Sequence, residues 1–192
     1  MARSRRDEIL SIAAVQFAER GVASTTVRDI GAAAGILSGS LYHHFDSKEQ
    51  MVAELLLPVM HRQVGHYRTI VSTDLSATET LRLLISTAVA EASQTPSESR
   101  MIRNDAQTFS ATPALRPIAA HLIDAAKLWG SVIERGIAAG EFRSNVDARL
   151  VVAAMFDAVL STTRWFTGKN RQSPDRVGDA LADLFLGGLL IV

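Results

Sequence analysis

A chain of 192 residues with 47% apolar side chains can bury a substantial core and is too apolar for wholesale disorder. Its 20 Lys and Arg balance 20 Asp and Glu, so the whole molecule offers no electrostatic argument for binding nucleic acid. It has no cysteine, which excludes disulfides, thiolate metal sites and thiol redox sensing.

Alanine is abundant, aromatics make up 6%, and strand-like alternation is missing, so the pattern favours helices. Helix one is expected from about Ser4 to Arg20, with Ile9, Ile12, Ala13 and Phe17 on one face and Gly21 as its stop. Thr26 and Asp29 form a capping box for helix two, which Gly35 ends. Ser38 is expected to cap helix three, and Ser47 with Gln50 to box the start of helix four. Helix four contains Pro58 and is expected to continue through a kink.

Ser76 and Glu79 cap helix five. Thr95, Pro96 and Glu98 supply the cap, first-turn proline and capping acid of helix six. Thr112 and Pro113 open helix seven, which Gly140 closes. Asp147 opens helix eight, which Gly168 closes. Ser173, Pro174 and Asp175 open helix nine, which is expected to reach the C-terminus. Nine helices with no hairpin signal define an all-α protein. Its expected parts are a small N-terminal head over 1–50 and a larger C-terminal bundle over 51–192.

The start of the chain does not resemble a signal peptide, because the segment after the basic Met1–Arg6 is amphipathic and charged. The longest apolar run, Leu184 to Val192, is too short to span a bilayer and contains Gly187 and Gly188. No membrane partner is expected, and the cytoplasm is the default location.

Residues 25 to 51, TTVRDIGAAAGILSGSLYHHFDSKEQM, carry the clearest functional signal. On a helical wheel Leu41 and Phe45 share a face that packs on Val27, Ile30 and Phe17. Gly39, Ser40 and His43 point the other way, with Ser38 and Tyr42 along one edge. Small residues let a backbone approach a DNA groove, while hydroxyls and imidazole can meet base edges or phosphates. Thr26 at the start of helix two offers a hydroxyl and free N–H groups to a phosphate. Lys48 is ill placed for the dipole of helix four, which suggests another use, such as a phosphate. Arg28 can reach a base edge or phosphate, and Arg3, Arg5 and Arg6 form a short basic arm suited to a minor groove.

Residues 8 to 54 resemble the N-terminal head of TetR-family repressors, through AAVQFAERG, TTVRDIGAAAGI, GSLYHHFDSKEQM and their spacing. Carried over residue by residue, the family's DNA contacts fall on Thr26, Arg28, Ser38, Ser40, Tyr42, His43 and Lys48. The chain departs from the family in its head charge. Residues 1 to 48 hold six Lys/Arg against five Asp/Glu, which puts tight non-specific binding in question.

The resemblance also implies that helices eight and nine pair with those of a second subunit, giving a homodimer that reads a palindromic operator. Helix eight is apolar nearly all round from Leu150 to Leu160. Helix nine has a wide apolar stripe, with Gly178, Gly187 and Gly188 allowing close approach. By the same resemblance helices four to eight enclose an effector pocket. Candidate lining groups are Met60, Tyr67, Met101, Phe109, Leu122, Trp129, Phe156 and Trp165, each also a reasonable plain core residue. Arg62, Arg103 and Arg164 are candidate anion partners.

A finer resemblance lies in GILSGSLYHHFDSKEQMV and in the TRWF that ends helix eight. Both are similar to the actinobacterial TetR-type repressors of cholesterol and steroid-ring catabolism, which implies an acyl-CoA effector. Seventeen arginines against three lysines fit such a high-GC source. No catalytic constellation, metal motif or phosphate loop is present, so the expectation is a regulator with no cofactor and not an enzyme. The alternative is a small-molecule-binding or scaffold protein of this fold without strong DNA binding.

Overall fold

The computed structural model describes residues 4–166 and 172–191. Among these residues nine α-helices run in order: α1 Arg5–Arg20, α2 Val27–Ala33, α3 Ser38–Leu41, α4 Lys48–Val71, α5 Ala77–Gln94, α6 Pro96–Ala111, α7 Arg116–Ala138, α8 Ala148–Ser161 and α9 Pro174–Leu189. The described residues hold no strand, only one antiparallel bridge between Phe142 and Leu190.

The starts of α2, α5, α8 and α9 follow the capping chemistry read from the sequence, and α1 starts at a box that was not read there. Ser4 with Asp7, Thr26 with Asp29, and Ser76 with Glu79 form reciprocal boxes at α1, α2 and α5. Asp147 accepts the N–H groups of Arg149 and Leu150, and Ser173 accepts that of Arg176 ahead of Pro174.

Several expected ends are corrected. Leu37, not Ser38, precedes α3, and Ser38 is its first residue with no side-chain cap. Ser47 accepts the Gln50 N–H, but the Gln50 amide oxygen turns to the Asp46 N–H instead of closing the box. Thr95 does not cap α6; its hydroxyl donates back to the Glu91 carbonyl at 3.0 Å. Thr112 and Pro113 open a 3-10 turn, and α7 begins only at Arg116. A second 3-10 turn, Thr162–Trp165, follows α8. The stop assigned to Gly168 lies outside the described residues, and α9 ends at Leu189. α4 continues across Pro58, which stands on an exposed face.

The chain forms two compact units. Met1–Met60 joins Ser97–Ala120 in the first, and His61–Pro96 joins His121–Val192 in the second. In the first, Ile9, Phe17, Ile30, Leu41, Phe45, Met51 and Leu56 are almost fully buried, each burial contributing about 1.5–3 kcal/mol. In the second, α5 and α9 lie close together. A Cβ on Gly178 would stand 3.0 Å from the Ser86 Cα, so this glycine sets an approach between helices of one chain. The N-terminus of α5 is held by Glu141, which accepts the N–H groups of Ala77 and Thr78 and the Thr78 hydroxyl at 2.8–3.0 Å. These bonds hold the Glu141 carboxyl below its usual range, although burial opposes them.

Gly136 illustrates how tightly the end of α7 is filled. A Cβ there would fall 2.2 Å from the buried ring of Phe142. Gly136→Ala is therefore expected to lower stability by about 1–3 kcal/mol despite alanine's better helix propensity. Thermal unfolding followed by circular dichroism checks this, and an unchanged melting temperature would show that the ring yields freely.

Candidate DNA-reading head and effector bundle

The head places its short third helix with the two faces that the helical wheel requires. Leu41 and Phe45 are each 1% exposed, while Gly39, Tyr42 and His43 face outward and Ser38 and Ser40 are half-buried. The Phe45 N–H bonds the Leu41 carbonyl at 3.1 Å, so helical spacing persists past the end of α3 and keeps both rows of side chains in phase. Gly35, with φ +67°, closes α2, and the Ile36 N–H reaches the Gly31 carbonyl at 2.9 Å. Gly31 admits no larger residue easily, since a Cβ would lie 3.1 Å from the Ile36 carbonyl oxygen.

The polar groups of the head are largely occupied within it. The Thr26 hydroxyl donates to Asp29 at 2.5 Å and accepts the Asp29 N–H, and the bonds from Thr26 hold the Asp29 carboxyl low. Lys48, expected at a phosphate, donates to the carbonyls of Val22 and Thr25 at 2.8 and 3.0 Å. Two of its three N–H donors thus serve the loop between α1 and α2.

The basic arm is a correction. Arg5 and Arg6 lie in α1, while Arg3 is outside the described residues. Arg5 binds Glu8 and the Ala34 carbonyl. Arg6 pairs with Glu54 at 2.6 Å, donates to the His44 carbonyl, and lies 4.5 Å over the Phe45 ring. Arg20 pairs with Asp29 at 3.6 Å. Of the cations described in the head, Arg28 remains exposed without an internal partner.

The expected effector residues fall into two groups. Tyr67, Trp129 and Phe156 come together in the second unit, with ring centroids 5.7 Å apart for Tyr67–Trp129 and 4.9 Å for Trp129–Phe156. Met60, Met101 and Phe109 are buried in the first unit. Arg62, Arg103 and Arg164 are exposed, and Leu122 is half-buried. Trp165 is 41% exposed in the 3-10 turn after α8.

Two acids are buried on apolar helix rows, and of these Glu91 was not singled out from the sequence. Glu91, on the apolar face of α5, meets His66 at 2.6 Å, while its second oxygen and the Trp129 indole nitrogen are buried and unpartnered among the described residues. Its register with Ala88 and Ala92 was the available signal. Asp105 shares a helical row with Met101 and Phe109 and is likewise buried. Burial pushes the Glu91 carboxyl above its usual range, against the pull of His66 and then Arg62. Burial, and then the charge of Glu91, also push the Tyr67 phenol up. His61 and His121 bring their rings to 6.0 Å. The described residues contain no group of three or more His, Asp or Glu side chains suited to a metal, and no helix among them is long and apolar enough to cross a membrane.

Residues 9–55 match the bacterial regulatory proteins of the tetR family, and residues 74–189 match the tetracyclin repressor-like C-terminal domain. The chain belongs to the TetR family, a family of transcriptional regulators and not of enzymes. Over nearly its full length it is similar to the HTH-type transcriptional repressor KstR2. Identity is 37% with the Mycolicibacterium smegmatis protein, across 97% of this chain and 91% of that one. It is 38% with the Rhodococcus jostii protein, across 96% and 91%. The structure of the ketosteroid transcriptional regulator KstR2 of Mycobacterium tuberculosis matches with a TM-score of 0.85 at 35% identity, covering 100% of this chain and 98% of that one. The all-α fold, its N-terminal helix-turn-helix and the resemblance to steroid-catabolism repressors are thereby established.

The raised Glu91 value fixes the sign of a pH effect. A carboxyl whose folded value lies above its unfolded 4.5 contributes stability below that value and loses it as pH rises through the folded one. Glu91→Gln is therefore expected to gain in melting temperature relative to the unsubstituted protein as pH rises from 4.5 to 8, with each 1 kcal/mol worth about 2–4 °C. A constant difference across that range would show that Glu91 titrates normally.

Proposed function

We propose that the protein is a homodimeric transcriptional repressor that binds a palindromic operator and is released by a small amphipathic effector. The observation that carries the reading is the outward face of α3, Gly39, Tyr42 and His43 over buried Leu41 and Phe45, in a chain similar throughout to KstR2 repressors. Ser38, Gly39, Ser40, Tyr42 and His43 enter the major groove. Arg28 and the N-terminus of α2 at Thr26 meet phosphates, and Lys48 turns its remaining donor to the same rim. The domain over 1–50 supplies these contacts and the chain over 51–192 the effector and dimer surfaces. Such a regulator works in the cytoplasm.

The dimer forms through α8 and α9. Leu150, Leu184 and Ile191 are 70%, 68% and 59% exposed, and a groove of about 490 Å³ runs along Leu150, Val151, Ala154, Leu184, Phe185 and Gly188. Gly187 and Gly188 face open space, where a second subunit's helix can approach closely. Two-fold pairing sets the heads in successive major grooves about 34–36 Å apart.

The effector is an acyl-CoA thioester of steroid-ring breakdown. Tyr67, Trp129 and Phe156 offer rings to an apolar skeleton, and the unpartnered Trp129 N–H and Glu91 oxygen offer it polar anchors. Arg62 supplies positive charge nearby, where it also acts on Glu91. Release is a population shift whose size equals the ligand's preference for the non-binding state.

A second reading, a ligand-binding protein with weak DNA affinity, is favoured by the internal pairing of Arg5, Arg6, Arg20 and Lys48. DNA upstream of the protein's own gene separates the two. A gel shift with this DNA is expected to show a complex that Tyr42→Ala abolishes while the dimer remains intact. No complex with the unsubstituted protein would support the second reading, and unchanged affinity in Tyr42→Ala would remove α3 from the interface. Calorimetry with a steroid-ring acyl-CoA, its free acid and free CoA is expected to give heat with the thioester. No heat with all three, for protein that still binds DNA, would exclude this effector class.

A further inference from the structure

The loop that introduces the DNA-reading helices is held from two elements distant in sequence. Residues 21–25 run from the end of α1 to the Thr26 cap of α2. The Asp105 Oδ1 accepts the Val22 N–H at 3.0 Å, across 83 residues. The Lys48 Nζ donates to the Val22 and Thr25 carbonyls. The Thr25 hydroxyl donates to the Gly21 carbonyl at 2.8 Å, and Thr25 is fully buried. Both polar groups of the Val22 backbone are thus taken by charged side chains, one from α6 and one from α4.

Asp105 reaches the loop through a break in its helix. Its φ of −117° and ψ of 15° are not helical, although α6 continues on both sides. The residue is 5% exposed, its second oxygen is unpartnered among the described residues, and burial pushes its carboxyl up against the opposing effects of the Val22 N–H and Lys48. Gly21 opens the loop with a φ of +83°, a conformation that favours glycine, while a Cβ there would make only ordinary contact with the Asp105 Oδ1 at 3.5 Å. A carboxylate is costly to bury unless it meets a donor, and here the donor is a single backbone N–H at the entrance to the recognition elements.

We propose that Asp105 is a positioning residue for DNA reading: together with Lys48 it clamps the Gly21–Thr25 loop and so fixes where α2 begins and where α3 presents its outward face. Asp105 touches no DNA. It acts through the Val22 N–H, and the clamped arrangement is the operator-reading one. This proposal rests on the reading of the protein as an operator-binding repressor.

The test uses full-length protein, operator binding by fluorescence anisotropy with DNA upstream of its own gene, and hydrogen exchange by mass spectrometry. Asp105→Ala is expected to weaken operator binding about tenfold or more and to speed exchange over residues 22–41 while leaving residues 77–94 unchanged. Asp105→Asn keeps an oxygen for the Val22 N–H and is expected to restore both readouts to within about threefold. If Asp105→Ala does not fold, Asp105→Leu takes its place, filling the volume without an acceptor. Unsubstituted operator affinity in Asp105→Ala, exchange quickened equally in both regions, or Asp105→Asn as impaired as Asp105→Ala would each overturn the proposal. Failure of the unsubstituted protein to bind DNA would count against the repressor reading, and the exchange comparison would still decide whether Asp105 fixes the head.

Discussion

Leu41 and Phe45 lie almost without exposure beneath a helix of four residues. A helix that short has no intrinsic stability. Its orientation is set by these two side chains, which share a face with each other and a core with Ile30 and Phe17. Once they are buried, the three-residue offset of Tyr42 from Gly39 and the spacing of His43 follow from helical geometry. The outward face is therefore a consequence of packing on the opposite side. The stacking of Arg6 on the Phe45 ring extends that packing to the surface.

Around this core the head pairs most of its cations with its own groups. Arg5 and Arg6 in α1, Arg20 at its end, and Lys48 at the start of α4 all bind partners within the first unit. Lys48 shows the logic. Its charge opposes the dipole of the helix it begins, and the compensation comes from two carbonyls that attract a cation. Asp105 completes the arrangement from the other polarity, with a carboxylate on the N–H of the same Val22.

The boxes at Thr26 and Ser76, and the caps at Asp147 and Ser173, were legible in the sequence because they depend on residues within one turn. So was the two-faced pattern of α3. Contacts between residues far apart were not. No local pattern says that Lys48 seeks Val22. Thr95 is a miss of another kind, since its hydroxyl had a local choice and bonds the Glu91 carbonyl one turn back, leaving α6 with its proline alone. The charged arm at Arg5 and Arg6 looked free because Glu54 and the Ala34 carbonyl are dozens of residues away. For the bundle, size and chemistry identified Tyr67, Trp129 and Phe156, which the fold brings together. The same criteria also selected Met101 and Phe109, which are core residues of the first unit. Bulk alone does not separate a ligand wall from a core. The buried acids Glu91 and Asp105 were the better clue, since each interrupts an apolar row where a charge has to find a specific partner.

On the proposed function, the internal pairing of these cations has a consequence for how such a repressor searches a chromosome. Sequence-independent affinity grows with the number of phosphates neutralised, and each cation tied up inside the head is one fewer counterion released from DNA. A genome offers about 10⁶–10⁹ competing sites. A strongly basic head would leave most molecules parked on irrelevant sequence. A head that spends Arg5, Arg6 and Arg20 on its own architecture spends less time there. On the proposed function, a small number of molecules per cell can then keep an operator occupied.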